Sequence, residues 1–352
     1  MRTVEAETFP EADRVEGCPH PRASYSLLGH QAAEQTFLKA IASGRSHHAW
    51  LITGIKGVGK ATLAYRMARY LLGASQLLND SLDFSSDDPV SQRLESLGHG
   101  NVFILRRPYD MKTKKLRSEI PVDEARKLKD FLTRKPSETG WRIVIVDSMD
   151  EMNRNAENSI LKSLEEPPEK TMFFLISSNP GRLLPTVRSR CVSLRLGPVP
   201  QDQIHSWVLG QSQQDPDIID AAVKLSRGGP GRAYALCESA DHVLIPLSRY
   251  VASLTKPADR HDVKISQSLS RHERRIDRIL FWETLSDLLQ AQARFTISGE
   301  WNAAFKPFPV IKPAKVWTHL AHRVTDLAAA SDGLNMDHTS VMMTALNEIR
   351  SR

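Results

Sequence analysis

The sequence predicts an α/β domain on a parallel sheet followed by an all-helical region, and three observations carry that expectation. Short apolar runs without polar alternation, at 49–53, 102–105, 143–146 and 172–176, read as strands buried on both faces. Between them lie stretches with apolar residues at helical spacing, and such alternation gives a parallel sheet. After Pro198 and Pro200 the strand-like runs stop, and helical patterns continue through the rest of the chain.

Taken in order, the first 24 residues are polar and proline-containing and read as a flexible N-terminal arm. Ala33, Phe37, Leu38 and Ile41 predict a helix over 30–43, ended by Gly44. The run AWLIT (49–53) is the first strand; a glycine-rich turn follows, and Leu63, Met67, Tyr70 and Leu71 mark a helix over 62–72. Residues 74–100 are rich in Ser and Asp and predict an inserted loop or short helices. Pro121 opens a helix over 121–131 with Val122, Ala125, Leu128 and Leu132 on one face. Ala156, Ile160, Leu161 and Leu164 form the face of another, stopped by Pro167 and Pro168. The α/β domain thus spans 25–196. A module of three short helices (203–209, 218–226, 231–238, with a GGPG turn at 228–231) fills 197–242, and longer helices at 276–293, 316–330 and 339–349 fill 243–352.

A length of 352 residues exceeds one average domain, and 41% hydrophobic with 25% charged residues excludes a disordered or fibrous chain. No apolar stretch reaches membrane-span length, and acidic residues stand where a signal peptide needs an apolar block, so a cytoplasmic protein with no membrane partner is expected. Forty-seven Lys and Arg against 41 Asp and Glu give a net charge of +6, which permits nucleic-acid contact without deciding it. Two basic runs, Lys112/Lys114/Lys115/Arg117 and Arg271/Arg274/Arg275/Arg278, read as solvated faces, the second being interleaved with Glu273 and Asp277. Cys18, Cys191 and Cys237 are scattered, without a CxxC half-site, so neither zinc nor another metal is expected: His47 and His48 with the Cys18/His20 pair are conceivable ligands, but adjacent histidines read as solvated.

Chemistry concentrates in two motifs. Gly54-Ile-Lys-Gly57-Val-Gly59-Lys60-Ala61 fits GxxxxGK between a buried strand and a helix, the context in which backbone N–H groups and the helix N-terminus cradle phosphates and Lys60 reaches the β- and γ-phosphates. Position 61 is Ala, however, where a Ser or Thr hydroxyl helps hold Mg²⁺, and Thr62 lies on another face of the helix. The acidic strand end is Ile143-Val-Ile-Val-Asp147, its carboxylate expected near the metal of a bound nucleotide. Ser148 follows it in place of a water-orienting carboxylate, and Asp150 and Glu151, beyond the strand end, are expected to face solvent or cap the next helix. Three outcomes stay open: a scaffold without nucleotide, weak, non-hydrolytic binding of ATP or ADP, or real ATPase activity; no cofactor is required.

Asn155-Ala-Glu-Asn158-Ser-Ile-Leu161-Lys162-Ser-Leu164-Glu165-Glu166-Pro167-Pro168, then Phe173-Phe-Leu-Ile-Ser177-Ser-Asn179-Pro, then Leu184-Pro-Thr-Val-Arg188-Ser189-Arg190-Cys191, resembles the bacterial clamp-loader AAA+ family. The resemblance runs from about Leu27 to Cys191 and thins beyond, with Gly333-Leu-Asn335-Met-Asp337 similar to a turn before the family's last helix. It implies an AAA+ domain, a three-helix lid and a helical collar that holds a hetero-oligomeric ring together. It further implies partnership with gamma/tau and delta subunits, and with the sliding clamp and primed DNA through the complex. Arg190 would be an arginine finger acting in trans on a neighbour's ATP, Ser177 or Ser178 would stand at sensor 1, and Arg232 at sensor 2. The degraded loop and acidic motif resemble a non-motor subunit; the runner-up is an autonomous DNA-stimulated ATPase like the gamma and tau motors. Many family members carry a four-cysteine zinc module between the two motifs; 72–140 here has no cysteine, so the resemblance brings no zinc.

Overall fold

The computed structural model describes residues 11–351 apart from 13, 15–17, 45, 78–80, 113–114, 257–259, 302 and 334–335. The chain divides into two compact units, Met1–Val199 and Pro200–Arg352. In the first, β1 (Ala49–Thr53), β2 (Val102–Leu105), β3 (Arg142–Val146), β4 (Thr171–Ser177) and β5 (Val192–Arg195) form one parallel sheet in the order β2-β3-β4-β1-β5. Leu51 of β1 pairs in register with Leu175 of β4 on one side and Ser193 of β5 on the other, and Val144 of β3 lies between Phe103 and Phe173. Strands β1, β3 and β4 are buried at every position, as strands covered on both faces must be. The four expected strands are present; β5 is additional. Its sequence VSLR buries only Leu194 because it lies at the sheet edge, so it carries no continuous apolar run.

Alternate residues of the strands feed two cores. Leu51, Val144, Val146, Phe173 and Leu175 pack with α4 (Val122–Thr133) through Leu128 and with α5 (Arg154–Glu165) through Ile160 and Leu164. On the other face Phe37 of α1 (Gln31–Ala42) meets Trp50 and Phe174 edge-on, at ring-centroid distances of 5.6 and 6.1 Å. Helix α2 (Lys60–Leu71) is buried along almost its whole length, and its Arg66 pairs with Glu34 at 2.7 Å and Asp83 at 2.8 Å. Among the described residues of the Ser/Asp-rich stretch is a short helix, α3 (Pro89–Glu95), capped by Asp88, which accepts from the Ser91 N–H at 2.9 Å. Between β2 and α4 a two-residue antiparallel ladder joins Tyr109–Asp110 to Lys115–Leu116. Of the segment read as an arm, residues 1–10 lie outside the described residues, and Glu11 ion-pairs with Arg22 at 2.7 Å and Arg106 at 2.9 Å.

The second unit is all-helical among the described residues. Short helices α7 (Gln201–Leu209), α8 (Pro216–Leu225) and α9 (Pro230–Glu238) come first, after the four-residue α6 (Pro185–Arg188) that ends the helices of the first unit. Then follow α10 (Leu244–Ala252), α11 (Arg260–Leu269), α12 (Arg275–Ser298), α13 (Ala314–Gly333) and α14 (His338–Arg350). The last helix is tied in by the Tyr250 hydroxyl donating to the Leu346 carbonyl at 2.8 Å, and by Arg350 pairing with the fully buried Asp262 at 2.7 Å. The turn around Leu334 and Asn335 lies outside the described residues. The second basic run is partly internal: Arg278 is buried and donates to the Leu269 carbonyl at 2.9 Å, and Arg274 pairs with Asp277 at 3.2 Å. Among the described residues no helix is long and apolar enough to cross a membrane.

Candidate functional site

Parallel strands bring their C-terminal ends to one edge, and adjacency of β3, β4 and β1 puts the loops after them side by side there. After β1 the glycine loop turns on three positive-φ residues, Gly54, Gly57 and Gly59. Two also need the missing side chain: a Cβ on Gly54 would meet the Leu196 carbonyl oxygen at 2.7 Å, and one on Gly59 would meet Leu27 Cδ1 at 2.6 Å. His30 braces the loop, its ring Nε2–H donating to the Val58 carbonyl at 3.0 Å, and burial lowers its pKa so that the ring stays neutral.

Lys60 opens α2 and is buried. Its ammonium donates to the Gly54 carbonyl at 3.0 Å, the Ile55 carbonyl at 2.8 Å and Ser178 Oγ at 2.9 Å. An ammonium has three N–H donors, and all three are engaged by the chain itself. Burial pulls its pKa down to about 8, against the opposing pull of the Asp147 and Asp150 carboxylates. Ala61 and Thr62 follow, both half-buried, and position 61 offers a methyl where a metal-binding oxygen is required.

Asp147 and Ser148 lie just past β3 and are half-buried. The expectation for Asp150 is corrected: it turns inward to the end of β4. Its carboxylate accepts from Ser177 Oγ at 2.6 Å, from the Ser178 N–H, and from the Asn179 N–H at 3.3 Å. Turning inward satisfies groups that burial would otherwise strand, since Ser177 is fully buried. Glu151 likewise does not face open water: it pairs with Arg107 at 2.9 Å, and burial raises its pKa. Asp150, Ser177, Ser178 and Lys60 thus form one connected chain of hydrogen bonds linking three loops. The sequence offered Ser177 and Ser178 through their place in the motif, but no signal for Asp150.

Arg190 follows α6 in the Ser189-Arg190-Cys191 turn. Its guanidinium donates to the Thr186 carbonyl at 2.7 Å and to Ser189 Oγ at 3.4 Å, and pairs with Glu165, the last residue of α5, at 2.6 Å. Cys191 is an inert neighbour, its thiol donating to the Val187 carbonyl and pushed by burial to a pKa of about 12. Arg232, in α9 of the second unit, is ion-paired with Asp287 of α12 at 2.8 Å. Among the described residues no three His, Cys, Asp or Glu side chains are grouped to hold a metal.

Residues 29–200 match the family model described as DNA polymerase III, delta subunit. The chain is 34% identical over 203 residues to DNA polymerase III subunit delta' of Escherichia coli, covering 57% of this chain and 58% of that protein. It is 32% identical over 191 residues to the subunit of the same name from Pseudomonas aeruginosa, covering 54% of this chain and 55% of that one. The chain therefore spans somewhat more than half the length of these curated relatives. A solved structure of a DNA polymerase III gamma subunit-related protein from Thermotoga maritima aligns with a TM-score of 0.45 and 18% identity, covering 90% of this chain and 98% of that one. With the parallel sheet, the phosphate loop and the Ser-Arg-Cys turn in place, the matched region belongs to the DNA polymerase III delta-subunit family of clamp-loader AAA+ proteins and is delta-prime-like.

Proposed function

We propose that this chain is a non-motor subunit of a DNA polymerase III clamp loader in the cytoplasm. It joins gamma/tau and delta subunits in a hetero-oligomeric ring that places the sliding clamp on primed DNA during replication, and it lends Arg190 in trans to the ATP of a neighbouring subunit. The observation that carries the reading is the contrast between its two motifs. The loop lysine is saturated by its own loop and Ser178, beside an alanine where the metal needs an oxygen, while the Ser189-Arg190-Cys191 turn keeps its guanidinium at a partly exposed position. Such a donor set fits a hydrolysable Mg–ATP complex poorly. ATP or ADP binds weakly if it binds, and zinc plays no part. A guanidinium suits the trans role because its charge is permanent and its planar fork matches phosphoryl oxygens.

The test is the reconstituted complex. Arg190→Ala should assemble normally and lower the clamp- and DNA-stimulated ATPase in single turnover at the site it serves, by on the order of 10³-fold or more for a finger supplied in trans. Arg190→Lys should recover part of the loss. Wild-type loading by the Arg190→Ala complex would refute the trans role, and ATP turnover by the purified chain that vanishes in Lys60→Ala would establish the motor reading instead.

A further inference from the structure

The contact between Arg190 and Glu165 has no part in the function just proposed, and its geometry is specific. Glu165 ends a twelve-residue helix whose start is capped by Asn153, which accepts from the Ala156 N–H at 2.9 Å, and whose inner face is buried in the sheet core. The carboxylate is thus carried by a fixed element. Arg190 sits on a short turn with a long side chain, and its N–H groups are divided: one terminal nitrogen serves Thr186 and Ser189 of its own turn, the other meets Glu165 Oε1 at 2.6 Å. The guanidinium fork is therefore not spent on a two-point pairing with the carboxylate. Both partners stay partly exposed, at 32% for Arg190 and 46% for Glu165. A single-point, partly exposed pair is weak, and a polyphosphate presenting several anionic oxygens to both terminal nitrogens outbids it.

We infer that Glu165 is a positioning residue for Arg190: its carboxylate parks the guanidinium against the α6 turn and yields it to the phosphates of a nucleotide held by an adjoining subunit. The inference rests on the trans role proposed for Arg190 and adds what governs its availability. Parking competes with engagement, because the same terminal nitrogen faces either the carboxylate or a phosphate. Apparent affinity for the nucleotide is then reduced by the fraction of Arg190 that is parked. An exposed pair contributes at most about 1 kcal/mol, which corresponds to about fivefold.

The experiment is an ATP titration of single-turnover hydrolysis in the reconstituted complex. It compares wild type, Glu165→Gln, Glu165→Ala, Arg190→Ala and the double variant Glu165→Gln/Arg190→Ala. Glu165→Gln and Glu165→Ala should each lower the half-saturating ATP concentration by about two- to fivefold with little change in the maximal rate, and the gain should shrink as salt screens the pair in wild type. In the Arg190→Ala background Glu165→Gln should change nothing further. Half-saturation that is unchanged or raised in both Glu165 variants overturns parking while leaving the trans role standing. So does a gain that persists without Arg190, which would mean Glu165 acts elsewhere. If Arg190→Ala alone hydrolyses ATP as wild type does, the trans role itself fails, and parking fails with it.

Discussion

Asp150→Ala removes the carboxylate that ties the end of β3 to the end of β4. In the native chain it accepts from Ser177 Oγ at 2.6 Å, from the Ser178 N–H and from the Asn179 N–H at 3.3 Å. Hydrogen bonds to a charged group contribute about 1.5–3 kcal/mol each, but these share one carboxylate and do not add. Ser177 is fully buried, so its hydroxyl keeps most of the desolvation penalty when its partner goes, while the half-exposed Asp150 site admits water to the two amides. The expected loss is about 2–4 kcal/mol for Asp150→Ala. Asp150→Asn keeps the shape and one acceptor, and should lose about 1–2 kcal/mol. Urea unfolding followed by hydrogen exchange at the amides of β4 reads the first unit separately. With a slope of about 2 kcal/mol per molar urea, the alanine variant should shift the midpoint down by about 1–2 M. A shift below about 0.3 M, or equal shifts for Ala and Asn, would refute the claim that this carboxylate holds the strand ends together.

Burial lowers the pKa of Lys60 from 10.5 to about 8, so between those values the unfolded chain binds more protons and stability rises with pH, with no contribution to the slope below the folded value. The stability difference between wild type and Lys60→Met, measured by urea titration at pH 7.5 and 10.5, should accordingly move toward wild type by on the order of 3 kcal/mol; a constant difference would mean the ammonium is not buried. Gly54→Ala should cost about 1–3 kcal/mol by thermal unfolding, because its Cβ meets a backbone oxygen at 2.7 Å that cannot step aside, and an unshifted midpoint would contradict that packing. Restoring both Ala61→Thr and Ser148→Glu should strengthen Mg–ATP binding, followed by calorimetry, more than the sum of the single changes, since the two groups serve one metal and water site; strict additivity would count against it. Elemental analysis after dialysis against chelator should find no stoichiometric zinc, and a full equivalent retained would defeat the zinc-free reading.

How much of this was readable in advance follows from the distance over which each feature is determined. Strands β1, β3 and β4 are covered on both faces, and that demand writes itself locally as AWLIT, IVIV and MFFLI. Strand β5 has a neighbour on one side only, and its VSLR needs a single buried residue, which no local pattern distinguishes from a loop. The glycine loop was readable because its chemistry depends on neighbours in sequence. What the lysine does there was not, since one of its acceptors is Ser178, 118 residues on. The same holds for Asp150 with Ser177, 27 residues away, and for Arg190 with Glu165. Carboxylates just beyond a strand or at a helix end look alike in sequence, and only topology selects the ones that turn inward.

These long-range contacts share one stretch of chain. Asp150 fixes Ser177, Ser178 and Asn179 at the end of β4, and Ser178 in turn receives a bond from Lys60. The short turn Pro180–Arg182 follows, then Leu184, whose N–H donates to the buried Glu157 carboxylate at 3.0 Å, and then α6 and Arg190. The segment from 177 to 190 is therefore clamped at its start by the phosphate-loop region and at its middle by α5, the helix that also carries Glu165. The lysine makes that clamp through bonds to its own loop and to Ser178. This gives GxxxxGK a physical role in a chain with alanine at position 61: the loop serves as a rigid base from which the Ser-Arg-Cys turn is held. Lys60→Ala should then loosen the 177–190 segment in hydrogen exchange even with no nucleotide present, because Ser178 loses a buried charged partner. Exchange there at the wild-type rate would separate the loop from the turn and leave the glycine motif without a structural role.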